Sequence, residues 1–310
     1  MMKKLTFLFL LLGGIAMAQN IKTAEPSSIQ MSITEKLAYS TIRIEVSDGK
    51  HDGVGSGFFF RFLDKNGTNI PAIVTNKHVV KGMIKGAIIF SSRNDDGTPN
   101  DKTHIPIYLD NFDKMWIMHP VPSVDLAIMP IQPLLNELSK KKLNPFFISL
   151  DKSIIPSDIQ LKELSAVEDI LMVGYPVGLW DEVNNYPLFR KGITASYLAN
   201  DYNGKEEFLI DAACFPGSSG SPVFLSNIGN YVDKKGNTNI ATRFYLLGIL
   251  RAGPQYTAEG KIVVVDVPTK KDTLVASNIP TNLGYVIKSK RLLEFDPILE
   301  RIVDQNQNKK

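Results

Sequence analysis

Short apolar segments separated by turn residues constrain the fold of this chain more than any other feature of its sequence. Twelve segments are rich in Val, Ile, Phe and Tyr, and clusters of Gly, Asn, Asp and Pro separate them, which predicts β-strands. Because helical segments do not alternate with them, we expect an all-β fold built from barrels or sandwiches. The segments are residues 41–46, 54–62, 71–76, 86–92, 125–131, 169–175, 188–198, 207–213, 221–226, 245–252, 261–267 and 284–288.

Helical patterns are confined to two segments. Residues 29–39 favour a short helix before the first strand, and residues 290–305 carry apolar side chains at helical spacing, which predicts a helix packed against the body. A polar, lysine-rich and proline-containing stretch separates two groups of strands, as is typical of a connection between lobes. We therefore divide the folded part of the chain into an N-terminal β-barrel, an inter-barrel linker, a C-terminal β-barrel and a helical tail, at residues 33–135, 136–168, 169–288 and 289–310.

The first residues have the features of an export signal. Two lysines precede an apolar run at residues 5–17, and a small-x-small cleavage site ends at Ala18. The run is too short for a membrane span, and two glycines interrupt it. We expect residues 1–18 to be a signal peptide, residues 19–32 to be the mature N-terminal segment, and the protein to be periplasmic or extracellular without stable membrane insertion after cleavage.

The net charge limits the kinds of partner that the chain is expected to bind, and the cysteine content limits how its fold is stabilised. The formal net charge of +3 over 310 residues is too small to attract nucleic acid, so we expect a peptide or small-molecule partner instead. Cys214 is the only cysteine, so no intramolecular disulfide forms and the fold depends on its apolar core. Cys214 lies between apolar neighbours, which indicates a small buried side chain rather than a reactive thiol.

The segment "PGSSGS" at residues 216–221 is predicted to form a tight turn that is rich in hydroxyl groups. A proline and two glycines allow the backbone to turn sharply and to direct successive N–H groups into one small concavity, as stabilisation of an oxyanion requires. Ser219 is the candidate nucleophile of this turn. Ser218 and Ser221 are rivals by residue type, and a plain Ser/Gly hairpin is the structural alternative.

A serine nucleophile needs a base and a group that orients the base. The chain has four histidines, His51, His78, His104 and His119, of which only His78 stands at the end of an apolar strand. A lone histidine in that place is more often structural. No second His or Cys lies at metal-ligand spacing, so we expect no metal and no cofactor. Asp125 directly precedes another apolar strand and is the candidate orienting acid.

Eight motifs resemble, in order, the successive strand and catalytic-loop motifs of chymotrypsin-fold (trypsin-like) serine proteases, and most of all those of the bacterial HtrA/DegP-like branch, although we expect no PDZ domain. They are "GVGSGFFF", "IVTNKHVV", "VDLAIMPI", "LMVGYPVGL", "GITASYL", "DAACFPGSSGSPVF", "LLGIL" and "LGYVI". The resemblance implies two six-stranded antiparallel β-barrels with the active site in the cleft between them.

The same resemblance implies an exported serine endopeptidase that cleaves peptides or unfolded proteins through an acyl-enzyme intermediate. It makes His78 the general base, Asp125 its orienter and Ser219 the nucleophile, with the oxyanion-hole N–H groups on Gly217 and Ser219. The alternative is a catalytically silent scaffold that binds extended peptides in the cleft. Its expected mark is a broken triad, and all three residue types are present here.

The residues that the resemblance places around the primary substrate pocket are Ala213, Arg251 and Gly253. None of them is a carboxylate that selects Lys or Arg, so we expect a small or medium apolar side chain before the scissile bond. Arg251 either points away into solvent or reaches the pocket and favours acidic substrates. Residues 253–282 are expected to form an insertion beside the pocket.

Overall fold

The computed structural model describes residues 6–7, 30–65, 68–253, 255–261 and 274–307, and it shows a mainly β structure, as predicted. The strands are β1 (Thr6–Phe7), β2 (Thr41–Ser47), β3 (Asp52–Lys65), β4 (Thr68–Thr75), β5 (Lys85–Arg93), β6 (Pro99–Asp110), β7 (Ile117–Met118), β8 (Ala127–Pro130), β9 (Pro145–Phe146), β10 (Leu150–Asp151), β11 (Asp169–Gly174), β12 (Leu188–Thr194), β13 (Glu207–Asp211), β14 (Pro222–Asn227), β15 (Tyr231–Val232), β16 (Thr238–Asn239), β17 (Arg243–Ala252), β18 (Gln255–Lys261), β19 (Leu274–Pro280) and β20 (Leu283–Lys288). The α-helices are α1 (Ile33–Ser40), α2 (Lys77–Val80), α3 (Gln132–Lys140), α4 (Asp158–Glu163) and α5 (Asp296–Gln307). Short 3₁₀ helices span Phe112–Met115, Lys152–Ile154, Pro176–Gly178 and Ser289–Phe295.

The C-terminal lobe is a closed antiparallel barrel of six strands, which confirms the predicted barrel. Its strand order is β11-β12-β13-β20-β17-β14. Side chains alternate between the two faces of each strand. Along β11, Ile170 and Met172 point into the barrel core, whereas Leu171 and Val173 join a second core outside it.

The N-terminal lobe is a ten-stranded sheet around its own apolar core. The sheet runs in the order β1-β6-β5-β2-β3-β4-β8-β7, with β9 paired to β5 and β10 paired to β3. Six consecutive strands of this sheet, β6-β5-β2-β3-β4-β8, correspond to the other predicted barrel. Within the described residues β6 and β8 do not pair with each other, so strand pairing does not close this barrel. Strand β6 was not predicted, because its first half, "PNDKTH", is polar.

The two lobes share a core between them. Phe58, Phe60 and Phe62 on one face of β3 pack in the same cluster as Leu171 and Phe224 of the C-terminal barrel. The C-terminal segment covers this cluster, as predicted from its helical spacing: Leu292 and Phe295 of the 3₁₀ helix and Leu299 of α5 are fully buried there. The lobes are therefore held together by apolar packing and by the last helix of the chain.

Several predicted segments fall partly outside the described residues. The predicted signal peptide and mature N-terminal segment lie there except for β1 and residues 30–32, and so does most of the strand predicted at 261–267. Of the predicted insertion, β18 and β19 form an antiparallel pair. The predicted linker, residues 136–168, carries β9, β10 and α4, and the division into domains stays a prediction. In the part of the chain that is described, no helix is long and apolar enough to cross a membrane.

Candidate active site

His78 and Asp125 meet where two paired strands leave the N-terminal sheet. Thr75 at the end of β4 pairs with Ala127 at the start of β8, so the residues just beyond them are close. Asp125 Oδ2 lies 2.6 Å from His78 Nδ1, and Oδ1 accepts a hydrogen bond from His78 N at 3.0 Å. Both carboxylate oxygens of Asp125 thus bind His78. With the proton of the imidazole held at Nδ1, the lone pair of Nε2 is free to accept another.

Two neighbours of His78, which were not singled out from the sequence, hold the acidic loop in place. Asn76 is fully buried, and its Nδ2 donates to the carbonyl of Asp125 at 2.8 Å. Lys77 Nζ donates to the carbonyls of Val121 and Pro122 at 3.0 and 3.4 Å. Burial lowers the pKa of Lys77, and the charge of Asp125 partly offsets this. The only sequence signal for these roles is their position beside His78.

The serine turn leaves two backbone N–H groups without an acceptor. Ser218 N, Gly220 N and Ser221 N donate to backbone carbonyls at 2.9–3.0 Å, whereas the N–H groups of Gly217 and Ser219 have no acceptor within the described residues. These are the two donors predicted for an oxyanion hole. An N–H group without an internal partner is available to a ligand.

Accessibility distinguishes the three serines of the turn. Ser218 and Ser221 are 1% and 0% exposed, and their hydroxyls have no hydrogen-bond partner among the residues described. Ser219 is half-buried, and its Oγ donates to the carbonyl of Arg251 at 3.3 Å. Of the three, Ser219 therefore presents the accessible hydroxyl.

Glycine is required at both bends of the turn. Gly217 and Gly220 have φ angles of +86° and +87°, in the left-handed region that disfavours other residues. A Cβ at Gly217 would lie 2.6 Å from the carbonyl oxygen of Tyr175, and one at Gly220 would lie 2.0 Å from that of Ser56. The turn is thus pressed directly against the backbone of its neighbours.

Ser56, a fully buried residue of β3, ties this turn to both lobes and was missed in the sequence. Its N–H donates to Ser219 O at 2.8 Å, and its carbonyl accepts from Thr75 Oγ1 at 2.7 Å. Its Oγ donates to Gly217 O and accepts from Tyr175 N, both at 2.9 Å. The partners are distant in the chain, so only the motif "GVGSGFFF" as a whole signalled the segment.

A short chain of contacts across the two lobes links the three predicted triad residues. Ser219 contacts Ser56, which contacts Thr75, three positions before His78. Within the described residues no hydrogen bond joins Ser219 to His78, because the serine hydroxyl faces Arg251 O instead. A rotation about χ1 redirects a serine hydroxyl between staggered positions, so this contact does not fix its direction.

The predicted pocket residues have different surroundings from those expected. Arg251 forms a two-pronged ion pair with Glu207, Nε to Oε1 at 3.0 Å and Nη2 to Oε2 at 3.1 Å. Glu207 thus balances the charge of Arg251, and the two alternatives for Arg251, solvated or reaching the pocket, stay predictions. Ala213 is half-buried and Gly253 is exposed. Arg190 Nη1 donates to Ala213 O at 2.7 Å.

The remaining candidates lie away from this chemistry. His51 is an exposed partner of Asp48, and His119 is buried. Cys214 is buried as predicted, and burial raises the pKa of its thiol to about 11. Among the residues that the structure describes, no group of three or more His, Cys, Asp or Glu is placed to hold a metal ion.

Comparison with known proteins shows which family the sequence matches. Residues 55–232 match the sequence profile described as a trypsin-like peptidase domain. Among solved structures, the HtrA-type protease AlgW with a tripeptide is 17% identical, with 83% of this chain and 58% of that chain covered and a TM-score of 0.39. The serine endoprotease from Yersinia pestis is 15% identical, with coverage of 88% and 68% and a TM-score of 0.42. No curated protein matches.

Proposed function

Because the chain belongs to the trypsin-like peptidase domain family, and is thus a hydrolase of the serine endopeptidase type, we propose that Ser219, His78 and Asp125 are its catalytic triad. The observation that carries this proposal is the contact between His78 and Asp125, in which one carboxylate binds both Nδ1 and the backbone N–H of the histidine. This contact fixes the ring and leaves Nε2 directed away from the carboxylate, as a general base requires.

In the proposed reaction, Ser219 Oγ attacks the carbonyl carbon of a peptide bond while His78 Nε2 takes its proton. Asp125 stabilises the imidazolium that forms. The N–H groups of Gly217 and Ser219, which have no acceptor within the described chain, bind the oxyanion of the tetrahedral intermediate. One such donor contributes roughly 10²–10³-fold to the rate.

The intermediate collapses when His78 gives its proton to the leaving amine, which leaves an acyl group on Ser219. Water, activated by the same histidine, then hydrolyses the ester and restores the serine hydroxyl. Each step uses groups that this chain supplies, and the substrates are proposed to be peptides or unfolded proteins. The oxyanion donors act best in a site from which bulk water is excluded.

We also propose that the enzyme is exported. The two N-terminal lysines, the apolar run and the small residues before Gln19 support a signal peptide at residues 1–18. Mass spectrometry of the protein recovered from a cell that expresses the full chain should find Gln19 as its first residue. An N-terminus at Met1 in the recovered protein would contradict export by cleavage.

One observation favours a catalytically silent peptide-binding scaffold as the second candidate. The hydroxyl of Ser219 donates to Arg251 O rather than to His78. In enzymes without substrate, catalytic hydrogen bonds are often long or misaligned and tighten when substrate binds, so this contact does not decide between the candidates. Reactivity of the serine decides between them.

The test is labelling of the purified protein with a fluorophosphonate probe, which reacts with activated serines. We expect the probe to label wild type at Ser219, as mapped by peptide mass spectrometry, and to leave Ser219→Ala and His78→Ala unlabelled. His51→Ala is the matched control, because His51 also pairs with an aspartate but is 82% exposed and far from the turn in sequence. Unlabelled wild type, with correctly folded protein, would favour the scaffold.

A further inference from the structure

A cavity of about 470 Å³ lies in the C-terminal lobe, and none of the proposed catalytic residues lines it. It opens between α4, the hairpin of β15 and β16, and the first residues of β17. We call it the hairpin cavity and define it by Lys162, Tyr231, Lys235, Arg243 and Tyr245. Its volume is in the range of sites that bind a whole small molecule.

Strand β17 separates the hairpin cavity from the serine turn. Arg243, the first residue of the strand, lines the cavity, whereas the carbonyl of Arg251 accepts the hydroxyl of Ser219. Eight residues of extended strand span roughly 26 Å. Strands β15 and β16 pair only with each other and are not part of the barrel. A ligand in this cavity therefore does not touch the serine, and the site is independent of the proposed triad.

Arg243 is held in a fixed position and keeps one nitrogen unused. Its Nε donates to Asn227 Oδ1 at 3.1 Å, and its Nη2 donates to Glu168 Oε2 at 2.8 Å. The ring centre of Tyr231 lies 3.8 Å from the guanidinium carbon, and the arginine side chain is 11% exposed. Within the described residues Nη1 makes no hydrogen bond. A fixed guanidinium with free N–H groups favours an oxygen acceptor on a ligand.

Two lysines at the rim of the cavity carry free ammonium groups. Lys162 ends close to the hairpin, because Lys234 Nζ donates to its carbonyl at 2.5 Å and so joins the hairpin to α4. Lys162 and Lys235 are exposed, and neither forms an ion pair in the part of the chain that is described. The rim thus offers two unpaired cations on backbone segments that are tied together.

The carboxylates of the cavity do not compensate these cations. Three lysines line it, against the two carboxylates of Glu163 and Asp233. Asp233 already accepts four hydrogen bonds at 2.8–3.4 Å, from the backbone of Lys235, from the backbone and side chain of Asn237, and from the side chain of Asn239. Its lone pairs are therefore in use within the hairpin turn. The balance of charge and of free donors favours an anion.

The size and the floor of the cavity indicate which kind of anion fits. A phosphate monoester carries a charge of about −1.5 to −2 at pH 7 and three acceptor oxygens, whereas a carboxylate has one charge and two oxygens. The cavity has room for roughly fifteen water molecules at about 30 Å³ each, which is more than a phosphate alone needs. Half-buried Tyr231 and Tyr245 and buried Leu164 provide apolar surface for the rest of a ligand. Gln160 Nε2 donates to the Tyr245 oxygen at 3.1 Å, which leaves the tyrosine O–H free to donate.

We propose that the hairpin cavity binds a phosphate monoester, with the phosphate on Lys162, Lys235 and Arg243 and the organic part against Tyr231 and Tyr245. Soluble phosphorylated molecules and phosphorylated lipid headgroups share this chemistry, and the experiment separates the two sources. The inference goes beyond the proposed function and does not depend on it, because no contact of the cavity involves Ser219.

The first experiment is isothermal titration calorimetry of the purified protein with phenyl phosphate, inorganic phosphate and phenol at physiological salt. Phenyl phosphate should bind about tenfold more tightly than inorganic phosphate, because the tyrosines also bury its ring, and phenol should not bind. Co-sedimentation with phosphatidylcholine vesicles, with and without phosphatidic acid, distinguishes the sources. Sedimentation only with phosphatidic acid assigns the site to a lipid headgroup, whereas phenyl phosphate binding without sedimentation assigns it to a soluble ligand.

The test variant is the double substitution Lys162→Gln and Lys235→Gln, which should weaken binding of phenyl phosphate, and of phosphatidic acid vesicles where they bind, by about tenfold or more. The matched control is Lys191→Gln with Lys205→Gln, since both lysines are exposed in the same lobe, lie outside the cavity and remove the same charge. Equal affinities of the two double variants would overturn the inference, because binding would then depend on net charge alone. So would inorganic phosphate that binds as tightly as phenyl phosphate, or the absence of phenyl phosphate binding.

Fluorophosphonate labelling of the same preparations keeps the two proposals apart. Wild type that is labelled at Ser219 but does not bind phenyl phosphate would overturn the inference alone. Wild type that binds phenyl phosphate but is not labelled would overturn the proposed function alone.

Discussion

Replacing Ser56 with alanine removes one oxygen atom that joins the serine turn to the loop after β11. Ser56 is fully buried, and its Oγ donates to Gly217 O and accepts from Tyr175 N at 2.9 Å each. Neither of these backbone groups has another partner among the described residues. The substitution therefore leaves a carbonyl and an N–H group unpaired at the base of the proposed oxyanion hole.

The cost follows from the burial of the two groups. Leaving one buried polar group unsatisfied costs about 1–3 kcal/mol. Tyr175 is 1% exposed, so its unpaired N–H accounts for most of this free-energy cost. Gly217 is half-buried, so water reaches its carbonyl more easily. We expect Ser56→Ala to lower the free energy of unfolding by about 3 kcal/mol.

Ser221→Ala is the matched control, because it removes the same atom from a residue that is also 0% exposed. The Oγ of Ser221 has no hydrogen-bond partner in the described structure, so its removal should be neutral or stabilising. Urea unfolding, followed by fluorescence, measures both changes, and equal slopes against urea show that they compare the same transition.

A second readout links this prediction to function. Without its bond to Ser56, the peptide unit at Gly217 is less firmly oriented, so fluorophosphonate labelling of folded Ser56→Ala should be slower than that of wild type. Equal losses of stability in Ser56→Ala and Ser221→Ala would refute the reasoning. So would a Ser56→Ala protein that is destabilised but labels at the wild-type rate, since the bond would then be structural only.

Three further changes test other parts of the structure. Gly220→Ala places a Cβ 2.0 Å from the carbonyl oxygen of Ser56 at a φ of +87°, so it should abolish labelling and lower the urea midpoint, and a labelled variant would show that the turn tolerates the shift. Burial lowers the pKa of His119 to about 4 from 6.5, so the unfolded chain takes up the proton first as the pH falls. The stability that neutral His119 provides is complete above pH 6.5 and is lost as the pH falls towards 4, by roughly 2–3 kcal/mol at pH 4.5. Urea midpoints at pH 7 and 4.5 should therefore differ less in His119→Gln than in wild type. Burial raises the pKa of the Cys214 thiol to about 11, so a thiol reagent at pH 8 should react only in urea, and rapid reaction of the native protein would contradict this.

The strands were predictable because their patterns are local. Alternating or continuous apolar runs bounded by turn residues identify a strand without knowledge of its partner. The predicted segment 54–62 thus corresponds to β3, and 245–252 to β17. Strand β6 escaped prediction since its first residues are polar, and it is recognisable only through its pairing with β5.

The candidate catalytic side chains were proposed on a different basis, namely the ordered motifs that resemble those of trypsin-like serine proteases. The ion pair of Arg251 was not predictable, because Glu207 lies 44 positions earlier in the chain and nothing local connects the two. The same limit applies to Ser56, whose partners Tyr175 and Gly217 are 119 and 161 positions away. Hydrogen bonds of this kind depend on how the lobes are packed, which no short segment determines.

One face of β3 shows how a single motif organises the whole cleft. Side chains on a strand alternate, so Val54, Ser56 and Phe58 lie on the same face. Val54 lines the cavity that Pro216 and Gly217 also line, Ser56 holds the serine turn, and Phe58 begins the apolar core shared by the lobes. The opposite face is pressed so closely that a Cβ at Gly55 would lie 2.4 Å from Val79. A shift of the strand by one residue would turn Ser56 away from the serine turn and Phe58 away from the interlobe core, and it would bring a side chain against Val79 in place of Gly55.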